Sequence, residues 1–301
     1  MTLTAEMIKE KAKSLGADVV GIGNIERWGG APVQMDPKQI MPDAKSIIAM
    51  GFRIMRGSLR GIEEGTFFSN YSSMGYGGLT YLYIPFVVIN LCKFIEDFGY
   101  EAIPYGHQSD WRAIDNEGNL KPDYSKPVAP GKAHPDVMIH LRIAAYLCGL
   151  GEIGYSKLLL TPEFGPRQRF ACILTEAPLE PDPIYEGSPI CDRCMLCVKE
   201  CSAGAISEKE TVKVKIAGRE IEWGKLDIEK CTKGFQGQKP YKKYNPFIGE
   251  PSSVIIYSRA LEGARGCIRA CMIHLEKEGK IKNKFKLPFR RRKAWFIEWE
   301  K

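Results

Sequence analysis

Residues 191–201 read CDRCMLCVKEC, a C-x2-C-x2-C-x3-C run formed by Cys191, Cys194, Cys197 and Cys201. Such spacing wraps one loop so that three thiolates reach a single iron–sulfur cubane, while the fourth, on the segment that follows, points at a second cluster. Zinc knuckles pair two C-x2-C units instead. A reciprocal set ends in GARGCIRAC (263–271), where Cys267 and Cys271 repeat the x3 spacing. Swapped ligation assigns Cys271 to the 4Fe-4S cluster of Cys191, Cys194 and Cys197, and leaves Cys201, Cys231 and Cys267 for the second cluster. That count stops at three, because Ala264 stands where x2 spacing would put the missing ligand. Three completions stay open: a 3Fe-4S cluster, a 4Fe-4S cluster with a non-cysteine ligand, or a thiolate recruited from Cys92, Cys148 or Cys172.

The rest of the chain fits a globular protein of about two average domains. It has 301 residues, 44% hydrophobic and 26% charged. Charged residues are expected to interrupt every long apolar stretch, so no membrane span is expected. The start, MTLTAEMIKE, lacks the layout of a secretory or twin-arginine leader, which points to the cytoplasm and to ten reduced cysteines. The net charge of +7 belongs to one segment. Residues 277–301 hold ten basic and three acidic side chains, and the remainder balances at 33 against 33. This tail, KEGKIKNKFKLPFRRRKAWFIEWEK, mixes cations with Phe and Trp as RNA-binding segments do, but packing on the body or on a second copy is the favoured reading.

Hydrophobic patterning gives an α+β chain. A helix over roughly 5–15 is capped by Thr4 and stops at Gly16. DVVGIGNI (18–25) and KSIIAMGFRI (45–54) read as strands, and Tyr71–Phe98 as a buried helix kinked or divided at Pro85. GYEAIPY (99–105) reads as a strand, 107–134 as a loop, DVMIHLRIAAYLCGL (136–150) as a helix ending at Gly149, and LLL (158–160) and RFACILTE (169–176) as strands. The Pro-rich PLEPDPIYEGSP (178–189) is the best boundary. The organisation expected is 1–185, 186–276 and the tail 277–301.

GLGEIGYSKLLLTPEFGPRQRFACILTEAPLEPD (149–182), followed by the two-cluster cysteine module, resembles the shared core of reductive dehalogenases and epoxyqueuosine reductases. GADVVGIG (16–23), MPDAKSIIAMG (41–51), FGYEAIP (98–104) and EWGKLDIEKC (222–231) extend the similarity over most of residues 5–275. Both are corrinoid-dependent iron–sulfur oxidoreductases. The resemblance implies a nitroreductase-related cobalamin-binding domain followed by a ferredoxin-like one, with corrinoid bound base-off. None of His107, His134, His140 and His274 sits in a D-x-H-x-x-G motif, which is compatible with that. Gly149, Gly151 and Gly154 would let backbone approach a flat ligand, and Thr161 with the turn containing Phe164 and Gly165 would bond its polar arms. Ser202 and Met272 replace the prolines that usually follow each cluster motif.

Within that resemblance, electrons from an external donor such as ferredoxin or flavodoxin pass through two clusters to cobalt, above which a small molecule or modified nucleoside is reduced. The proton donor is a tyrosine in dehalogenases, for which Tyr76 and Tyr71 are candidates, and an aspartate in the queuosine enzymes, for which Asp136 is the nearest match. Arg169 takes the place of the dehalogenase arginine, where it would stabilise an anion. Rival readings are a corrinoid-free, ferredoxin-like carrier reducing a partner corrinoid protein or flavoenzyme, and a flavin protein on the same fold. A homodimer is compatible with either.

Overall fold

The computed structural model describes residues 2–64, 66–67, 70–107, 125–201, 203–236 and 266–289. It is built of mixed α and β structure with antiparallel sheets. Helix α1 (Ala5–Leu15) opens with Thr4 accepting from the Met7 amide at 3.3 Å and closes at Gly16, whose φ of 117° only glycine adopts readily. Strands β1 (Val19–Asn24) and β2 (Ser46–Arg53) follow, then the short α2 (Arg60–Glu64) and the long α3 (Tyr71–Glu96). Next come β3 (Ala102–Tyr105), α4 (Leu141–Leu147), β4 (Glu152–Ile153), β5 (Leu159–Leu160) and β6 (Gln168–Thr175).

The main sheet has the order β1-β2-β6-β3, and each neighbouring pair is antiparallel. Strands β2 and β6 are buried almost throughout, so they read as unbroken apolar runs. Alternate side chains divide between two cores. Ile48, Met50, Phe52, Ala171 and Ile173 meet α1 and α3, whereas Ile47, Ala49, Cys172 and Leu174 meet α4.

Helix α3 changes winding midway. Tyr71–Tyr83 is a π-helix, Ile84–Glu96 is α-helical, and Pro85 sits at the junction, where its missing amide costs the new helix nothing. The expected interruption by charge fails here, because residues 71–92 carry none. By length and composition α3 could cross a membrane. Here Val87, Val88, Leu91 and Ile95 are buried against the sheet, while Met74, Leu82, Phe86 and Ile89 are exposed.

The cysteine-bearing half contributes α5 (Leu196–Lys199), the hairpin β7 (Ile206–Ile216) with β8 (Arg219–Leu226), α6 (Ile228–Gln236) and α7 (Cys267–Lys277). Ala217 and Gly218, with φ of 48° and 78°, make the primed turn that a two-residue hairpin loop requires. Ile221 and Trp223 of β8 join the core around α4. The Pro-rich stretch runs along β1: Asp182 exchanges bonds with Ile22 at 2.8 Å in both directions, and Leu179 and Ile184 are buried. Arg269 of α7, 5% exposed, lies between Glu63 of α2 and Glu200, the latter at 3.1 Å. The described start of the tail also packs down. Lys282 and Asn283 donate to Pro162 and Glu163, Phe285 lies 4.1 Å under the Arg56 guanidinium, and Phe289 is buried. The rest of the tail, Ala264 and Ser202 lie outside the described residues.

Two outcomes follow for stability. Gly151 is pressed against the Leu160 carbonyl, whereas Gly57 faces open space, so Gly151→Ala lowers the thermal midpoint by the equivalent of roughly 1–3 kcal/mol and Gly57→Ala leaves it within error. Arg269→Met removes the cation from between two carboxylates, one fully buried, and costs about 3–5 kcal/mol by denaturant titration.

Candidate functional site

The seven clustered cysteines meet at one end of the body. Cys197, Cys191, Cys201, Cys231 and Cys267 share an apolar cluster with Tyr155 and Leu226, and Cys191, Cys267 and Cys271 border a second with Leu158 and Leu160. Burial pushes the Cys271 thiol far up, and the charges of Cys191, Cys197 and Cys194 add to it. Burial likewise pushes Cys267 up to about 12, with Cys231 and Cys201 among the groups acting on it. The structure therefore brings Cys271 to the first set and Cys201, Cys231 and Cys267 to one another. Amides of Tyr155 and Ala205 donate to the sulfurs of Cys191 and Cys201, both at 3.4 Å.

Thiols so desolvated and mutually repelling become good ligands once a cation draws off their protons, so this donor set fits iron–sulfur clusters. Cys92, Cys148 and Cys172 lie elsewhere, buried in the cores flanking the main sheet, with Cys148 donating to the Ile47 carbonyl at 3.3 Å. Recruitment of one of them as a fourth ligand is set aside on that ground. Cys194 alone among the ten is exposed. Beside it His274 Nε2 lies 2.8 Å and Lys280 Nζ 3.1 Å from Asp192. Against the effect of burial, these bonds hold the Asp192 carboxyl well below its usual range.

A cavity of about 70 Å³ adjoins the second set, lined by Ile268, next to Cys267, and by His107, His140, Arg142, Gln168 and Arg169. Arg169 leaves β6 with its guanidinium 4.1 Å from the centre of the Tyr76 ring and 3.4 Å from the Tyr71 hydroxyl. Tyr76 Oη lies 3.5 Å from Tyr81 Oη, and His107 meets both rings edge-on. Burial pushes the Tyr71 phenol up against the pull of Arg169, and pushes His140 well below its usual value, with Lys157 and Arg142 adding to that, so the imidazole is neutral. Two buried polar atoms of the lining, Gln168 Oε1 and Arg169 Nε, have no hydrogen-bond partner among the described residues. Unmet acceptor and donor groups on this wall could pair with the amide arms of a corrinoid, so the donor set is compatible with one.

The other expected residues are placed as follows. Gly149, Gly151 and Gly154 do not line the cavity: a Cβ at each would meet Pro183, the Leu160 carbonyl or the Leu160 side chain, so these glycines serve chain-to-chain packing. Thr161 is fully buried, accepting from Phe164 and Gln168, and Gly165 pairs with it and abuts Leu275. Thr161, Phe164 and Gly165 shape the turn that delivers Gln168 and Arg169. Asp136 caps no helix, since α4 begins at Leu141; it is exposed, with a left-handed φ of 63°, and lies off the cavity wall. Tyr81, Gln168 and the histidines 107 and 140 were missed. Only Gln168, two residues before Phe170 on an alternating strand, left a legible signal.

No family model matches the chain. It is 26% identical over 257 residues to a tetrachloroethene reductive dehalogenase of Dehalobacter restrictus, covering 70% of this chain and 40% of the relative. It is 35% identical over 68 residues to an epoxyqueuosine reductase of Listeria monocytogenes, covering 23% of this chain and 17% of that one. The chain thus spans about two fifths of the first relative's length. Among solved structures, the catabolic reductive dehalogenase NpRdhA aligns at a TM-score of 0.56 and 24% identity, over 91% of this chain and 36% of that one, which fixes a common fold. By sequence the chain is a relative of the reductive dehalogenases and of epoxyqueuosine reductase, as the motifs implied.

Proposed function

We propose that the chain is a cytoplasmic, cobalamin-dependent iron–sulfur oxidoreductase that reductively cleaves or reduces a small molecule or modified nucleoside. On this reading residues 1–185 form a nitroreductase-related corrinoid domain and 186–276 a ferredoxin-like domain with two clusters. The observation that carries it is a polarity. One cysteine set reaches solvent through Cys194, while the other, through Cys267 and its neighbour Ile268, abuts the cavity that Arg169 lines and Tyr76 adjoins.

The chemistry such groups supply when bound is one-electron transfer from the clusters and a strongly reducing cobalt centre. The chain's residues supply the rest. Cys191, Cys194, Cys197 and Cys271 hold one cluster, and Cys201, Cys231 and Cys267 the other. Gln168 and Arg169 offer their unmet acceptor and donor to corrinoid amides. Tyr76 Oη delivers the proton, and Arg169 over its ring stabilises the phenolate left behind. Tyr81 Oη, 3.5 Å away, is placed to return that proton. An external carrier such as ferredoxin or flavodoxin delivers electrons at the Cys194 face.

Anaerobic reconstitution with iron, sulfide and cobalamin tests the reading. Stoichiometric base-off corrinoid with two clusters is expected; clusters without corrinoid, or a flavin spectrum, would overturn it. Oxidised-state electron paramagnetic resonance then decides the second cluster, a strong isotropic signal near the free-electron value marking three irons. For the substrate that turns over in a panel of halogenated phenols and an epoxyqueuosine-modified RNA stem loop, Tyr76→Phe lowers kcat by about 10²–10⁴-fold with the corrinoid spectrum intact. Full activity would remove Tyr76 from the mechanism.

A further inference from the structure

A second, larger cleft lies where α4, the turn between β4 and β5, the hairpin β7–β8 and the segment 27–35 come together. It has a volume of about 350 Å³, and shares only His140 with the cavity beside the cysteines. Its charges are all of one sign: Arg27, Lys157 and Lys215 line it, and no carboxylate does.

Lys157 is the group that asks for a ligand. Its backbone is fixed in the tight turn at a φ of 59°, its amide donating to Gly154 at 2.9 Å and its carbonyl accepting from Arg142 at 3.0 Å. The side chain turns over the Trp223 ring, with Nζ 4.8 Å from the centroid, and makes no ion pair with a described residue. Burial, reinforced by Arg142, pushes its ammonium down to about 8, the mark of a cation short of counter-charge. Arg27 is already committed to the carbonyls of Leu147 and Asp182 and contributes field, not a free hand. Lys215 is exposed on β7.

The walls exclude a bare inorganic anion. Trp28 and Trp223, 6% and 4% exposed, with Ile143, Leu147, Val214 and Ile216, present apolar and aromatic surface that would desolvate phosphate without bonding it. Indole faces beside a buried ammonium suit a flat ring carrying a carboxylate. We propose that this cleft binds a planar aromatic anion, its ring against Trp223 and Trp28 and its charge on Lys157. The site is independent of the corrinoid reading and stands whether or not that reading does.

Isothermal calorimetry on the anaerobically purified full chain tests it, with benzoate as probe and benzamide as its neutral counterpart. One saturable benzoate site is expected, at least about tenfold tighter than benzamide. Lys157→Met should weaken it about tenfold or more by removing the charge, and Ile143→Trp should do so by filling the cleft with the charge kept. Arg169→Gln, in the other cavity, should leave it unchanged. Equal affinity for the two probes, no saturation by about 10 mM, unchanged binding in both cleft variants, or loss in Arg169→Gln alone would each overturn the proposal.

Discussion

One helix face carries the arrangement. Cys267 and Cys271 stand four residues apart on α7, so their side chains leave the helix on nearly one side, one turn apart. Among the cysteines, Cys271 feels chiefly Cys191, Cys197 and Cys194, and Cys267 feels Cys231, Cys201 and Cys197, so α7 runs beside both groups. The rest of the fold holds it there. Between the two cysteines Arg269 is buried against Glu63 and Glu200, Met272 enters the core under α3, and Leu275 packs on Leu158 and Leu160. The chain beyond α7 folds back over the 162–163 turn and under Arg56, which closes the clamp from the other end.

That clamp also sets the two cysteine groups in different surroundings. With α7 held, Cys194 stays at the surface beside Asp192, His274 and Lys280, while Ile268, next to Cys267, lines the cavity. Tyr71 feels Cys267 electrostatically and bonds Arg169, so the tyrosine and arginine wall and the second cysteine set belong to one continuous polar region inside an apolar body. The π-wound start of α3 contributes to this. Its wider turns carry Tyr71 and Tyr76, both buried, to the same guanidinium.

Much of this was legible in the sequence, and the parts that were not share a cause. Strands β2 and β6 announced themselves because burial on both faces leaves no polar alternation to blur them, and α1 because its cap and its terminal glycine are local signals. Cysteine spacing exposed both sets for the same reason, since loop geometry is local. The glycines of 149–154 are ambiguous in sequence because a glycine demanded by a close neighbour looks the same whether that neighbour is ligand or protein; in the structure Leu160 and Pro183 approach them. Helix α4 starts five residues later than its apolar pattern, because Met138 and Ile139 are buried as extended chain, and apolar burial alone does not distinguish the two. His107 and His140 gave no signal, as their place in the cavity wall depends on contacts between distant segments.

The seventh cysteine raises the question of the eighth ligand, and the fold narrows the answer. A thiol can be recruited only if its backbone can reach the cluster and its proton can leave. Cys92, Cys148 and Cys172 fail on the first count: they sit in helix or sheet cores away from the seven. Moving any of them would empty a packed position beside the central strands. On the two-cluster reading, the second set would hold its cluster with three thiolates, either around three irons or with a fourth iron bound by a group other than cysteine. On that second alternative, the fourth iron would be open to an exchangeable ligand, because no thiolate of the chain is placed to reach it.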